Sequence, residues 1–310
     1  MSHMRSMVLL FLACLSLGSG TALAQLSGEN IGGDFGMKSG SQPPPGAYLT
    51  DFIYTYDASK IVGGQGQEIN LQSPLRIWAN IPLLWVVTDK KLFGANYSYM
   101  VGFPIPNLAI EAPRVDLKKS AFGFGDLYVQ PINLGWHKKR ADIMAWYGFY
   151  APTGGYSPSG GGGVGLGMWS HEVAVGSTFY LNEKKTLHAS VLPQLEFHSK
   201  KKGSDVKVGD ILTIEGGVGK TSKQILDVGM AYYAQWKLTD DSGLALPALV
   251  QNRLGKNRNY GLGPEVSLLL PLTKDFSKLL IFDIKYLFET GTKLDTKGQA
   301  LVVSFTFKLL

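Results

Sequence analysis

Cysteine is nearly absent: one residue, Cys14, serves the whole 310-residue chain. That excludes a disulfide framework and any cysteine-rich metal site. Long apolar runs are missing after Gln25, which excludes a transmembrane helix of about 20 residues. Charge is sparse, at 17% of residues, and the net +6 comes from scattered clusters such as Lys90-Lys91, Lys138-Lys139-Arg140, Lys184-Lys185 and Lys200-Lys201-Lys202. A nucleic-acid reader would gather its cations on one element, so these recurring clusters read as turns and loops, and no nucleic-acid partner is expected. Past the N-terminus histidine is down to His137, His171, His188 and His198.

The N-terminus has the marks of a leader. Arg5 precedes the apolar stretch Met7 to Leu17, and Ala22-Leu23-Ala24 forms an A-x-A cleavage site before Gln25. This predicts a signal peptide over residues 1–24 and export of the mature chain. "FLAC" around Cys14 is a poor lipobox, so acylation there is not expected. A mature chain without cysteine must then be held together by something other than disulfides.

What the mature chain has in quantity is alternation. In "ALVVSFTFKLL", Leu301, Val303, Phe305, Phe307 and Leu309 share one face, while Val302, Ser304, Thr306 and Lys308 share the other. The same period places about twelve strands near 46–58, 69–88, 93–106, 122–138, 141–152, 166–181, 186–199, 209–221, 225–239, 258–272, 278–290 and 298–309. Short connections ("TDKK", "HKKR", "NEKK", "SKQ", "TKDFS") alternate with long ones near 59–68, 107–121, 153–165, 200–208, 240–257 and 291–297. Outer-membrane barrels have an even number of strands, short periplasmic turns and longer outer loops. The expected fold is therefore all-β: a transmembrane antiparallel up-and-down β-barrel over 46–310, with both termini on the periplasmic side. A soluble sandwich would also alternate, but its strands run about 5–6 residues. Aromatic residues near strand ends, such as Trp169, Phe179, Tyr232 and Trp236, suit interfacial girdles.

The polar strand face should line the lumen. By parity it carries Asp51, Arg76, Asp126, Gln130, Glu172, Gln194, Glu196, Glu215, Asp227, Lys237, Glu265, Asp283 and Lys285. These are the candidate solute-path residues, and a bracing network of paired charges is the alternative use of the same set. Small residues share this face, among them Gly148, Gly176, Gly217, Gly219, Gly229, Gly261 and Gly263. Glycine in a strand marks close approach of another chain or a bend. The segment 25–45 precedes the first strand, and Pro43-Pro44-Pro45 bars it from a ladder. It is the candidate occupant, or plug, of the lumen.

No catalytic constellation emerges. His188 and His198 face inward from opposite ends of one strand, about 30 Å apart at 3.3 Å per residue, so they share no metal. Ser170, His171 and Glu172 alternate in face and form no triad. Glu172 and Glu196 could resemble an acid/base dyad, but no substrate cleft accompanies them. "EGGVGKTSK" (215–223) resembles a phosphate-binding loop, yet position 214 is Ile where that spacing needs Gly, and no helix follows. It reads as the periplasmic end of the eighth strand. No cofactor, metal or enzymatic activity is expected.

Five stretches carry a family resemblance: "SGSQPPPGAYLTDFIYTYDA" (39–58), "GFGDLYVQP" (123–131), "WYGFYAPTGGY" (146–156), "EVAVGSTFYL" (172–181) and "GLGPEVSLLLP" (261–271). In order and spacing the chain resembles the family called putative MetA-pathway of phenol degradation. The resemblance implies an outer-membrane barrel in a Gram-negative bacterium, linked with breakdown of phenol and other aromatic compounds. It implies porin-like passage of small hydrophobic or aromatic solutes, and it carries no catalytic residues. The expected function is a partly plugged passive channel; the alternative is a non-transport barrel, structural or enzymatic. Expected partners are membrane lipid and lipopolysaccharide, small hydrophobic solutes and the outer-membrane assembly machinery, for which the Phe305-x-Phe307-x-Leu309 alternation is right but Leu310 stands where many such barrels have Phe, so recognition is expected to be less than ideal. The solute, the oligomeric state and the direction of transport are not written in the sequence.

Overall fold

A computed structural model of the chain describes residues 27–112, 117–158, 163–243, 256–275 and 277–309. The leader expected over 1–24, with Cys14, lies outside the described residues. Fourteen strands follow one another: β1 (Gly46–Val62), β2 (Glu68–Leu92), β3 (Ala95–Gly102), β4 (Ile105–Ala112), β5 (Leu117–Phe122), β6 (Leu127–His137), β7 (Ala141–Ala151), β8 (Ser170–Tyr180), β9 (Leu187–His198), β10 (Ile211–Ser222), β11 (Leu226–Lys237), β12 (Arg258–Pro271), β13 (Leu279–Lys293) and β14 (Asp295–Lys308). All pairings are antiparallel.

β1 pairs with β14 from Tyr48↔Lys308 to Val62↔Asp295, and with β2 from Gly46↔Val87 to Val62↔Glu68. This double pairing closes the sheet into a ring of twelve strands, with β4 and β5 branching off β2. Closure leaves no open edge around the ring, the condition a sheet must meet in lipid. The two branch strands occupy the stretch 107–121, expected to be a loop. β4 continues β3 after Phe103-Pro104, and β5 feeds β6 through Gly123–Asp126, where the Gly125 amide donates to the Pro104 carbonyl at 2.8 Å. Pro104 and Pro106 interrupt the alternation, and pieces of 8 and 6 residues fall below membrane length. A template of full-length crossings therefore passes over them. The expected loop at 291–297 is likewise a tight turn, with Gly291 at φ 59° and Leu294 at φ 53°.

The short connections are tight too. Phe93 and Gly94 both have positive φ, as do Lys223 and Gln224, the backbone of a two-residue turn matched to strand twist. "EGGVGKTSK" thus ends β10 and enters a hairpin, with no helix.

Burial is inverted relative to a soluble domain. Val173, Val175, Val218, Leu262 and Phe288 are exposed on the outer wall, while Gln130, Glu172, Glu196, Glu215 and Lys285 are buried inside. Outer aromatic groups cluster near the long-loop ends: Phe149 stands 5.8 Å from Trp169, and His171 stacks on Phe197 at 5.4 Å. His171 also shares a 2.8 Å hydrogen bond with the Tyr147 hydroxyl. A band of this kind is the outer signature of a membrane barrel.

Candidate functional site in the barrel lumen

The site is built from the segment before β1. Residues 27–45 run inside the ring, from beside Glu196 near the long-loop end to the short-turn end, where the chain enters β1. Three wall carboxylates from three strands accept its amides. Glu196 of β9 accepts from Glu29 N at 2.6 Å. Glu215 of β10 accepts from Gly33 N and Phe35 N, each at 3.0 Å. Glu265 of β12 accepts from Met37 N at 2.9 Å. Two lysines complete the attachment: Lys285 Nζ donates to the Asp34 carbonyl at 2.8 Å, and Lys38 reaches Asp227 at 2.5 Å. Charge-assisted bonds to backbone are about twice as strong as neutral ones. They give a segment without secondary structure the partners that its buried peptide groups require.

Side-chain packing adds to this. Met37 is 2% exposed and sits where β10 and β11 carry Gly217, Gly219 and Gly229; a Cβ on any of the three would meet it. Further down, Gln42 Nε2 donates to Ser98 Oγ at 2.9 Å and to Asn133 Oδ1 at 3.2 Å, and Ser41 donates to Asp142 at 2.9 Å.

The remaining candidates divide into three groups. Gln130, Glu172 and Gln194 form a wall network: Gln194 donates to Glu172 at 3.1 Å, and Gln130 bonds Tyr128 and Asn133. Glu172 and Glu196 stand directly opposite in register. Asp283 lies on the same inner face, two positions from Lys285. Asp126 and Lys237 serve the loops instead. Asp126 accepts the Gly154 and Leu166 amides at 2.7 and 2.8 Å, and Lys237 holds both oxygens of Asp241 at 2.8 Å.

Asp51 and Arg76 are a correction. In β1 the inward residues are Tyr48, Phe52, Tyr56 and Ala58, all buried. Asp51 lies opposite Phe305 on the outer face, hydrogen-bonded to Asn80 at 2.5 Å. Arg76 is 69% exposed and pairs outside with Asp57 at 3.2 Å. Both faces of β1 mix polar and apolar residues, so parity alone does not orient it. The inner face there is apolar because it packs an internal cluster: Tyr56, Ala58, Tyr233, Leu287 and Ala300, with Tyr54, Leu75 and Ile77 against it.

Among the described residues no group of three or more His, Cys, Asp or Glu is placed to hold a metal. His188 bonds Asp227 at 2.9 Å and His198 bonds Glu196 at 2.9 Å, at opposite ends of β9.

Residues 58–305 match the sequence profile of the family described as "Putative MetA-pathway of phenol degradation". The chain belongs to this family. Comparison with curated proteins finds no match. Among solved structures, this family member is similar to the COG4313 outer membrane channel from Pseudomonas putida F1, at 13% identity and TM-score 0.66, over 90% of this chain and 99% of that one. That likeness establishes a shared barrel fold. Weaker similarities are to the β domain of the Bordetella autotransporter BrkA (10% identity, TM-score 0.46, 85% and 100% covered) and to a Pseudomonas aeruginosa FadL homologue (9%, 0.37, 84% and 87%).

Two inward acids are absent from the sequence candidates, although parity puts Glu289 on the face of Asp283 and Lys285, and Asp142 on the face of Gly148. Glu289 accepts the Tyr56 and Tyr233 hydroxyls at 2.7 and 2.6 Å and ties three strands together. Asp142 gathers Ser41, His137 and Tyr180 at the short-turn end. The inward tyrosines are the signal that could have exposed Glu289, since a buried phenol needs an acceptor.

Proposed function

We propose that the chain is an outer-membrane channel of a Gram-negative bacterium that passes small hydrophobic or aromatic compounds by passive diffusion, with residues 25–45 closing the lumen between transport events. The observation that carries this reading is the lumen segment itself, held by Glu196, Glu215 and Glu265 beside an inner wall sector of Tyr54, Tyr56, Leu75, Ile77, Tyr233 and Leu287. A polar clamp on one side and an apolar, aromatic wall on the other favour solutes that need little hydration. The Pseudomonas putida barrel of shared fold is described as an outer membrane channel, which supports the same reading. The predicted leader over 1–24 would supply export, and the inner network of Gln130, Glu172 and Gln194 braces the wall. Lipid, lipopolysaccharide and the assembly machinery are the partners such a barrel would meet.

The test is uptake by proteoliposomes of phenol, toluene and a fatty acid against sugars of equal size. Protein-dependent flux of the apolar set is expected; no flux for any of them overturns the proposal. Deleting 28–42 should raise conductance in planar bilayers, and unchanged conductance in a correctly folded deletion would refute the plug.

A further inference from the structure

We propose that the short-turn rim of the barrel is a binding ring for anionic phospholipid headgroups of the surrounding leaflet. Of the four basic clusters scattered along the sequence, all but Lys200-Lys201-Lys202 are brought together here by the topology. The β2–β3 turn presents Lys90 and Lys91, and the β6–β7 turn Lys138, Lys139 and Arg140, all exposed. The β8–β9 turn adds Lys184 and Lys185, β10–β11 adds Lys220 and Lys223, and β12–β13 adds Lys274 and Lys278, again exposed. Against these eleven cations stand three exposed acids, Asp89, Glu183 and Asp275. Every short turn contributes at least two, so the charge runs around the circumference instead of concentrating on one side.

The opposite rim differs. There charges of both signs meet in pairs: Lys60 and Lys297 share Glu68, Lys200 holds Asp205, and Lys237 holds Asp241. At the short-turn end Lys38 pairs with Asp227 and His137 with Asp142, inside the rim, while among the described residues the ion pair formed by the eleven turn cations is Arg140 with Glu183, at 3.5 Å.

Lipid is favoured over a protein or the cell wall by what accompanies the cations. Exposed apolar side chains sit beside them in the same turns: Phe93 (83% exposed), Leu181 and Leu272. Lys185 lies 4.5 Å above the Tyr180 ring. Cations over apolar and aromatic groups at a barrel end are the arrangement by which long basic side chains place their charge at headgroup level. Juxtamembrane lysines of this kind attract anionic lipid within a Debye length. The inference rests on the membrane reading of the fold, and not on which solute the barrel carries.

The experiment is native mass spectrometry of the full mature barrel in detergent with equimolar phosphatidylglycerol and phosphatidylethanolamine of identical acyl chains. Preferential retention of phosphatidylglycerol, about fivefold or more, is expected, falling as salt is raised. A variant with Lys138, Lys139, Arg140, Lys184 and Lys185 changed to Gln should lose the preference. A control carrying Lys200→Gln, Lys202→Gln and Lys207→Gln on the other rim should keep it. If the fivefold-substituted chain does not fold, the pairs Lys138→Gln/Lys139→Gln and Lys184→Gln/Lys185→Gln should each reduce the preference. Equal retention of the two lipids by the unaltered protein, or the same preference in the turn variants, overturns the proposal. Co-sedimentation with purified peptidoglycan that depends on these turns, without a lipid preference, overturns it in favour of the cell wall. Solute flux by the turn variant, measured separately, distinguishes failure of this proposal from failure of the channel reading.

Discussion

Glu215 holds two amides of the lumen segment with one carboxylate, and its neighbours cannot replace it: Glu196 and Glu265 are occupied at Glu29 and Met37. Removing a buried acceptor costs about 1–3 kcal/mol for each donor left behind. Glu215→Ala should therefore loosen the segment without opening the ring; raised single-channel conductance with unchanged far-UV circular dichroism is the expected result, and normal conductance would refute the clamp. Lys201, in the loop after β9, makes a different prediction. Burial disfavours its ammonium and pushes it down to about 8 from 10.5, with Glu29, Asp126 and Asp241 offsetting part of the effect. Since the folded value is the lower one, the unfolded loop binds more protons between about 8 and 10.5. Loop stability should rise with pH across that window and be level on either side. A titration of methyl-labelled lysines, assigned with Lys201→Arg, should show one resonance with a midpoint near 8; a midpoint near 10.5 for all of them would refute it. At this scale parity placed Glu196, Glu215 and Glu265 on the inner face, and it misplaced Asp51 and Arg76, because both faces of β1 mix polar and apolar residues and the inner face of β2 beside it is the apolar one, with Leu75 and Ile77 against the internal cluster.

The lumen segment and the strands it contacts behave as a matched set. Glycines in strand positions signalled that something lies close, and the signal had two meanings. Gly217, Gly219 and Gly229 receive Met37, whereas Gly148 and Gly261 receive Tyr128 and Tyr233 from the wall itself. Gly219 separates the two uses experimentally. A Cβ there meets the Met37 sulphur and the His188 ring, both side chains, so the strand need not move. Gly219→Val should displace Met37 and raise conductance, and adding Met37→Ala should bring it back toward that of Met37→Ala alone. If Gly219→Val conducts like the unaltered protein, Met37 is not part of the closure. The β4–β5 hairpin was not legible, because its strands are short and interrupted by proline, and a pattern judged against full crossings discards them.

For the whole molecule the decisive contact is the seam between first and last strands, where fourteen registered pairs join β1 to β14. An edge left in lipid strands backbone groups at several kcal/mol each. Deleting residues 301–309 should therefore abolish the heat-modifiable folded band of the outer-membrane fraction, not merely weaken it; a folded band in that truncation would show that the seam is dispensable. The twelve ring strands, most of the alternation of short turns and long loops, and an apolar outer wall were present in the sequence by itself, because each is a local property: a period of two, a turn composition, a length set by the bilayer. Tertiary structure alone decided which carboxylates meet the lumen segment, which face of β1 looks inward, and that separate lysine pairs form one ring. Those depend on closure, which brings together residues more than 150 positions apart, as Glu29 and Glu196 are, and no local pattern contains that distance.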